Sequence, residues 1–341
     1  MPGTVMVSGG SGYIAGETIR QLLGKGWTVH TTVRSLAREA DLRAQLGGTP
    51  ETLKFFAADL MNDAGWAEAM AGCSHVCHMA SPFPANVPKD ENELIVPARE
   101  GALRALRMAK AAGVTRFVMT SSSAAVAYGH PDSKTHYDEH DWTNVAAPGL
   151  LAYFKSKTIA ERAARDWVAA QGGDIEYCAV CPVLVLGPVQ GGDFAASVEP
   201  VLRLLDGSVP ALPDVGFNIV DLRDIAALHV LALEAPADKV KDGRFIGSSG
   251  AFLKFTDVAK VLRDALGPQA RKVPTRRMPA WGVHALALFM PAAKQLLGEI
   301  GRTRSISSAH AQSVLGWKPR PPKESIVDCA RSLIAHGVVK V

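Results

Sequence analysis

The stretch Val7-Ser8-Gly9-Gly10-Ser11-Gly12-Tyr13-Ile14-Ala15-Gly16 follows the apolar run Thr4-Val5-Met6-Val7 and decides how the rest of the chain is read. Glycine at a strand-to-helix turn lets φ become positive and leaves room where a Cβ would hold a phosphate away. The helix that follows aims free N–H groups and the positive end of its dipole at the same spot. Two spacings fit the turn. Gly10-x-Gly12-x-x-Ala15 is the general dinucleotide pattern, and Gly9-x-x-Gly12-x-x-Ala15 is a looser relative of it. The turn alone leaves both open.

Beyond the turn, short β-rich runs alternate with helical periodicity. The patterns predict strands over 4–8, 27–33, 53–57, 75–78, 116–120 and 176–180. Helices are expected over 12–23, 37–45, 66–70, 94–112 and 156–169. Strands that are apolar nearly throughout, each followed by a helix, imply a parallel sheet covered on both faces. The fold class expected is therefore α/β, a doubly wound parallel-sheet Rossmann fold with a smaller, mainly helical C-terminal substrate lobe. Residues 1–181 would form the dinucleotide-binding domain, with 218–248 returning to it through strands at 218–221 and 244–246. Residues 182–217 and 249–341 would form the substrate lobe. The run 281–297, broken by His284, Pro291 and Lys294, reads as an amphipathic helix over a pocket with a turn at Met290-Pro291.

Bulk properties narrow the class of partner. The chain has 341 residues, 48% hydrophobic and 21% charged, and a formal net charge of +4. That charge is spread along the chain, which argues against nucleic acid, whose binding needs a dense positive stripe. The longest apolar stretch is too short and too interrupted to span a bilayer. Five cysteines and no visible secretory segment point to free thiols in a reducing compartment, so a cytoplasmic protein without a membrane partner is expected.

The end of the second strand selects the cofactor. An acidic residue there would bind the ribose 2′-hydroxyl of NAD. The chain instead has Thr31-Thr32-Val33-Arg34-Ser35 followed by Arg38. Two cations and no carboxylate suit the extra 2′-phosphate of NADP(H), which arginine grips in a bidentate manner. Asp59, with Leu60 after it, ends the third strand and is placed to accept from the adenine amino group or to cap the following turn.

Tyr153 and Lys157 are four residues apart at the start of a helix, so they share a face. A tyrosine titrates near 10 unless a cation lowers it, and Lys157 would supply that charge. Val118-Met119-Thr120-Ser121-Ser122-Ser123 puts hydroxyls at the carboxyl end of a strand, where a parallel sheet faces its ligand. One of the three serines could hydrogen-bond a carbonyl oxygen and stabilise charge on it. Which of them faces inward is left open.

Together these residues resemble an extended short-chain dehydrogenase/reductase, in the dihydroflavonol reductase-like branch that includes NADPH carbonyl reductases and cinnamoyl-CoA reductases. The resemblance also takes in His78-Met79-Ala80-Ser81-Pro82-Phe83, Tyr153 to Arg165, Pro182 to Pro188, Asp221-Leu222-Arg223-Asp224 and Leu315-Gly316-Trp317. It is weakest over 189–216. It implies that Tyr153 is the general acid in reduction and that Ser122, with Ser123 as fallback, orients the carbonyl. Lys157 would depress the tyrosine and bind the nicotinamide ribose. Gly9, Gly12, Tyr13, Ile14, Ala80, Ser81, Thr120, Pro182 and Val185 would line the cofactor, and Phe83 the substrate. It also selects the Gly9-x-x-Gly12 spacing, which makes Gly10 a permissive neighbour.

The activity expected is NADPH-dependent reduction of an aldehyde or ketone to an alcohol, by a monomer or homodimer. A hydroxysteroid dehydrogenase, a sugar-nucleotide epimerase or dehydratase, and a catalytically silent NADP sensor are the alternatives. Arg34 speaks against the epimerase, and an intact Ser122, Tyr153 and Lys157 against the sensor. His75-x-x-His78 and Cys178-x-x-Cys181 read as packing residues, because both lie along strands where neither a metal nor a redox pair is presented. His229 reads as a helix-face residue behind the site.

Overall fold

Alternate residues of each central strand enter two different apolar clusters, which is what a sheet buried on both faces requires. The computed structural model describes residues 3–82, 88, 90–191, 194–288 and 297–340. Its main sheet contains β1 (Thr4–Val7), β2 (Thr28–Val33), β3 (Leu53–Ala57), β4 (His75–His78), β5 (Arg116–Thr120), β7 (Glu176–Pro182) and β10 (Gly243–Gly247). The order is β3-β2-β1-β4-β5-β7-β10, with every neighbouring pair parallel. Val5 and Val7 point to one face and Met6 to the other. On the first face lie α1 (Tyr13–Gly24), α2 (Glu39–Leu46) and α7 (Leu222–Glu234), through Ile19, Leu42 and Ile225 among others. On the second lie α3 (Trp66–Met70), α4 (Asn92–Ala111) and α5 (Ala152–Trp167), through Trp66, Leu106 and Ala164.

The strand order reverses between β1 and β4, so their carboxyl ends diverge and leave a crevice where a ligand can enter. This is the expected doubly wound fold.

The expected boundaries change in four places. The helix expected from 156 begins at Ala152, which puts Tyr153 in its first turn. The helix expected over 37–45 is a 3-10 turn, Leu36–Arg38, followed by α2. Strand 243–247 joins the main sheet, but 218–221 does not. It lies within β9 (Gly216–Asp221), which pairs with β8 (Leu184–Leu186) and β11 (Phe252–Lys254) in a separate three-stranded sheet. The physical reason is Pro182. Lacking an N–H it ends the β7 run, and the chain leaves the large sheet there. Finally, Ile306, Ala311 and Trp317 pack in the large-sheet core, so the tail of the chain is not wholly part of the lobe. The two-stranded pair of β6 (His136–Tyr137) and β12 (Ser305–Ile306) fastens it there.

A third apolar cluster joins α6 (Glu199–Asp206) to the helices Phe255–Leu266 and Pro322–Ala335 through Leu204, Leu262 and Ile326. Helix Ala280–Ala287 occupies the start of the expected 281–297 run. The Met290-Pro291 turn lies outside the described residues, and so does Phe83. Among the described residues no helix is long and apolar enough to cross a membrane.

Candidate active site

A cavity of about 1830 Å³ opens over the carboxyl ends of β1, β4, β5 and β7. Its inner end is backbone. Gly9 N–H donates to Thr32 Oγ1 at 3.0 Å, Gly10 N–H to the Thr32 carbonyl at 2.9 Å, and Gly12 N–H to the Gly9 carbonyl at 2.8 Å. Gly9 has φ +75°, and a Cβ on it would stand 3.1 Å from Ala80 Cα. A Cβ on Gly10 would stand 2.2 Å from Thr31 Oγ1. Thr31 is buried, and its hydroxyl donates to the Val7 carbonyl at 2.8 Å. Gly10 is therefore not the permissive neighbour expected from the spacing. Both glycine patterns are sterically required at once, one against β4 and the other against β2.

Gly12 caps α1 with no side-chain hydrogen bond, so the first-turn amides of Tyr13, Ile14 and Ala15 line the cavity without intrahelical acceptors. That arrangement fits the pyrophosphate of a dinucleotide, an anion that can satisfy those donors without a Cβ in its way. The Tyr13 hydroxyl donates to the Gly187 carbonyl at 2.8 Å and ties this end to the chain beyond β8.

Other residues expected around a cofactor divide into two groups. Arg38, Ser81, Thr120, Pro182 and Val185 line the cavity, while Arg34, Asp59, Leu60 and Ala80 stand outside its wall. Arg34 is exposed immediately after β2, and the cavity residue Arg38 closes the 3-10 turn that follows. Asp59 is also exposed, and its carboxylate accepts from the Met61 amide at 2.7 Å, so it acts as a turn cap. Leu60 packs towards Gly101 of α4, and Ala80 backs Gly9.

The catalytic candidates converge at the middle of the cavity. Of the three serines, Ser121 is buried and its hydroxyl donates to Glu161 Oε2 at 2.5 Å. Ser122 accepts from the Ala124 amide at 3.1 Å and is hydrogen-bonded to the Tyr153 hydroxyl. Lys157, one turn along α5, is buried, with Nζ 5.9 Å from the centre of the Tyr153 ring. It donates to Ser81 Oγ at 2.9 Å. Burial pushes the Lys157 amine down to about 8, because the charged form loses hydration. Burial raises Tyr153 for the mirror-image reason, and the Ser122 hydrogen bond opposes it.

Two neighbours support this set. His229 is fully buried, its Nδ1 lies 2.8 Å from the Ile225 carbonyl and its Nε2 lies 2.8 Å from Thr120 Oγ1. The carbonyl requires the proton on Nδ1, so Nε2 accepts from Thr120. Burial holds this imidazole down to about 4, so it stays neutral and acts as a fixed acceptor. The second support was missed by sequence reasoning. Glu161, fully buried one turn beyond Lys157, accepts from Arg244 Nε at 2.8 Å and Arg165 Nε at 3.2 Å. Arg244 also donates to the Ala125 carbonyl at 2.9 Å and lies 3.8 Å over the Trp142 ring. The cluster therefore clamps the serine turn to α5. Only the i,i+4 spacing of Lys157 and Glu161 hinted at it, and Glu161 takes arginines instead.

The outer end of the cavity is built from side chains of distant segments. Tyr128 stacks on Phe154 with ring centres 3.8 Å apart, and the Arg304 guanidinium lies 4.6 Å from the centre of the Tyr128 ring. Arg304 donates to the Ala127 carbonyl at 3.0 Å and is ion-paired with Glu299. Phe194, Phe217 and Phe252 complete the apolar wall. No sequence motif marked these residues.

A dinucleotide-type crevice with a serine, tyrosine and lysine at its centre defines an α/β nucleotide-dependent enzyme class. Residues 5–246 match the NAD dependent epimerase/dehydratase family. The chain belongs to that family, and within it to the extended short-chain dehydrogenases/reductases of the dihydroflavonol reductase-like branch, NAD(P)-dependent oxidoreductases. The cinnamoyl-CoA reductase CAD2 of Medicago truncatula is 36% identical over 237 residues, covering 67% of this chain and 72% of that one. A dihydroflavonol 4-reductase of Zea mays is 33% identical over 273 residues, covering 77% and 74%. Among solved structures, the yeast methylglyoxal/isovaleraldehyde reductase Gre2, complexed with NADPH, shares the fold with a TM-score of 0.81. It is 24% identical over 98% of this chain and 100% of that one.

Proposed function

We propose that the protein reduces an aldehyde or ketone to an alcohol with NADPH. The observation that carries this reading is the Tyr153 hydroxyl bonded to Ser122, with the Lys157 ammonium beside its ring, midway along a cavity that has a phosphate-type cradle at one end and an aromatic slot at the other. The NADPH complex of a protein with the same fold supports the choice of cofactor, and so do Arg34 and Arg38 where NAD enzymes place a carboxylate. The glycine turn and the amides of Tyr13 and Ile14 would hold the pyrophosphate. Arg34 and Arg38 would hold the 2′-phosphate, while Ser81, Thr120, Pro182 and Val185 border the rest. Residues 182–217, with most of 249–341, would cover the substrate.

NADPH, when bound, supplies the hydride that reaches the carbonyl carbon. Ser122 holds the carbonyl oxygen by a hydrogen bond that strengthens as negative charge develops there. Tyr153 gives its phenolic proton to that oxygen, and the nearby positive charge of Lys157 stabilises the phenolate left behind. In the reverse direction the phenolate would take the proton from the alcohol.

Tyr153→Phe keeps the ring and removes the proton. We expect kcat for any carbonyl substrate to fall by about 10²–10⁴ while NADPH still binds with near-unchanged affinity. The check is NADPH consumption at 340 nm alongside fluorescence titration of NADPH. Near-normal turnover by this variant overturns the assignment.

A further inference from the structure

Lys157 needs a polar partner, because burying an ammonium without one is costly. Its partner here is Ser81 Oγ, at 2.9 Å. Ser81 sits at the end of β4, and that end is held in an unusual way. The Ser8 hydroxyl, from the first residue after β1, accepts from both the Met79 and Ala80 amides at 2.9 Å each. Its own proton is therefore directed to His78 Nδ1, 3.0 Å away, which must be the unprotonated ring nitrogen. Burial pushes His78 down to about 3, so this acceptor stays neutral over the working pH range. On the opposite side, Ala80 fills the space that a Cβ on Gly9 would occupy, with its Cα 3.1 Å from that point. Residues 79–81 are thus wedged between the glycine turn and the lysine. A chain of direct contacts runs Ser8, Met79/Ala80, Ser81, Lys157, Tyr153.

We propose that Ser81, set in place by Ser8, is a positioning residue that keeps the Lys157 ammonium charged and aimed at Tyr153. It would thereby link the nucleotide turn to the catalytic helix. This rests on the catalytic reading above, although the Ser81–Lys157 contact itself does not. An acceptor favours the charged form of an amine, so Ser81 opposes the loss of the Lys157 proton that burial promotes. The groups facing Lys157 are Tyr153 on its own helix, Cys181 on β7, and His78 and Ser81 at the end of β4. The His78 and Cys181 neighbours are neutral near pH 7, since burial pushes the first down to about 3 and the second up to about 12. Ser81 is the member of this group that answers the ammonium with a lone pair.

The test uses Ser81→Ala, Ser81→Thr and Ser8→Ala in the full chain. In the ligand-free protein, the pH dependence of Lys157 labelling by trace acetic anhydride, read by mass spectrometry, reports the lysine directly. Loss of the acceptor should move the labelling midpoint to lower pH by about one unit in Ser81→Ala, and threonine should restore it. With methylglyoxal and isovaleraldehyde as probes, the alkaline limb of kcat should shift the same way and kcat at pH 8 should fall several-fold. Because Ser81 also borders the cofactor, KM for NADPH is followed alongside, and the labelling midpoint and the kcat profile decide. Ser8→Ala should give a smaller shift in the same direction.

An unmoved labelling midpoint in Ser81→Ala, with circular dichroism unchanged, overturns the proposal. So does a rise in the KM for NADPH with an unmoved kcat profile, because it makes Ser81 a cofactor contact only. Should the wild type reduce no carbonyl probe, the reductase reading fails while the labelling arm still decides the role of Ser81. Should Ser81→Ala misfold, Ser81→Thr and Ser8→Ala decide it: threonine with a displaced midpoint, or Ser8→Ala without one, counts against.

Discussion

The two ends of the cavity are built in opposite ways. At the glycine turn the chain itself is the surface: first-turn backbone amides border the cavity, and Gly10 lies so close to Thr31 that an added Cβ would stand 2.2 Å from its hydroxyl oxygen. At the far end the backbone withdraws, and Tyr128, Phe154, Phe217, Glu299 and Arg304 make the wall. Backbone surfaces are hard to vary without breaking the fold, whereas side-chain surfaces can be exchanged one residue at a time. One fold can therefore hold a constant cofactor cradle beside a variable substrate slot. Each region predicts a different response to mutation.

Between the two ends of the cavity, the largest effect is expected at Gly10. Thr31 is β-branched, buried and bonded to Val7, so it cannot swing away from an added methyl group. Gly10→Ala should cost about 1–3 kcal/mol of stability by overpacking, and raise the Kd for NADPH by about 100-fold as the turn shifts. Urea unfolding and fluorescence titration check the two arms. A variant of normal stability and affinity would show that the turn is as adaptable as the substrate wall. A smaller effect is expected one strand away. Replacing Arg34 and Arg38 by Ala removes charge without touching the packing of β2, because both residues are exposed. The ratio of kcat/KM for NADPH over NADH should drop by about 10- to 100-fold, at unchanged thermal stability. A wild type that already prefers NADH would break the 2′-phosphate argument outright.

This contrast also explains what could be read from the sequence. The glycine turn, Arg34 and the Tyr153–Lys157 spacing are local patterns in which neighbours in the chain are neighbours in space, and strand-helix alternation places them on one crevice. The tight fit of Gly10 is not local in this way, because its obstacle, Thr31, belongs to the adjacent strand. The apolar pattern of 218–221 fits any sheet, so it does not reveal that this strand pairs with β8 and β11 instead of returning to the large sheet. Choosing among Ser121, Ser122 and Ser123 needed Glu161, some 40 positions away, to claim the first of them. Glu299 and Arg304 carry no motif at all. They reach the cavity because β12 pairs with β6, a contact between residues 305–306 and 136–137 that no periodicity announces.

The smallest predicted effect tests whether that side-chain wall sets selectivity by charge. Arg304 is nearly buried, and Glu299, held above the usual carboxylate range by burial, neutralises it. An anionic substrate entering the slot therefore meets an ion pair and not a bare cation. Glu299→Gln keeps the shape and a hydrogen-bond acceptor for Arg304 but removes the negative charge. The wall then carries the net charge of the guanidinium, and an α-keto acid should gain on its uncharged methyl ester. We expect the ratio of their kcat/KM values to rise about five-fold, the size of roughly 1 kcal/mol in a partly screened site, with the Kd for NADPH unmoved. Lowering the pH of the wild type should act in the same direction, because protonating Glu299 also removes its charge while the keto acid stays ionised. In the Gln variant that pH trend should vanish. A ratio that ignores both the substitution and the pH would mean that the pair only props up Tyr128, and that the substrate end discriminates by shape alone.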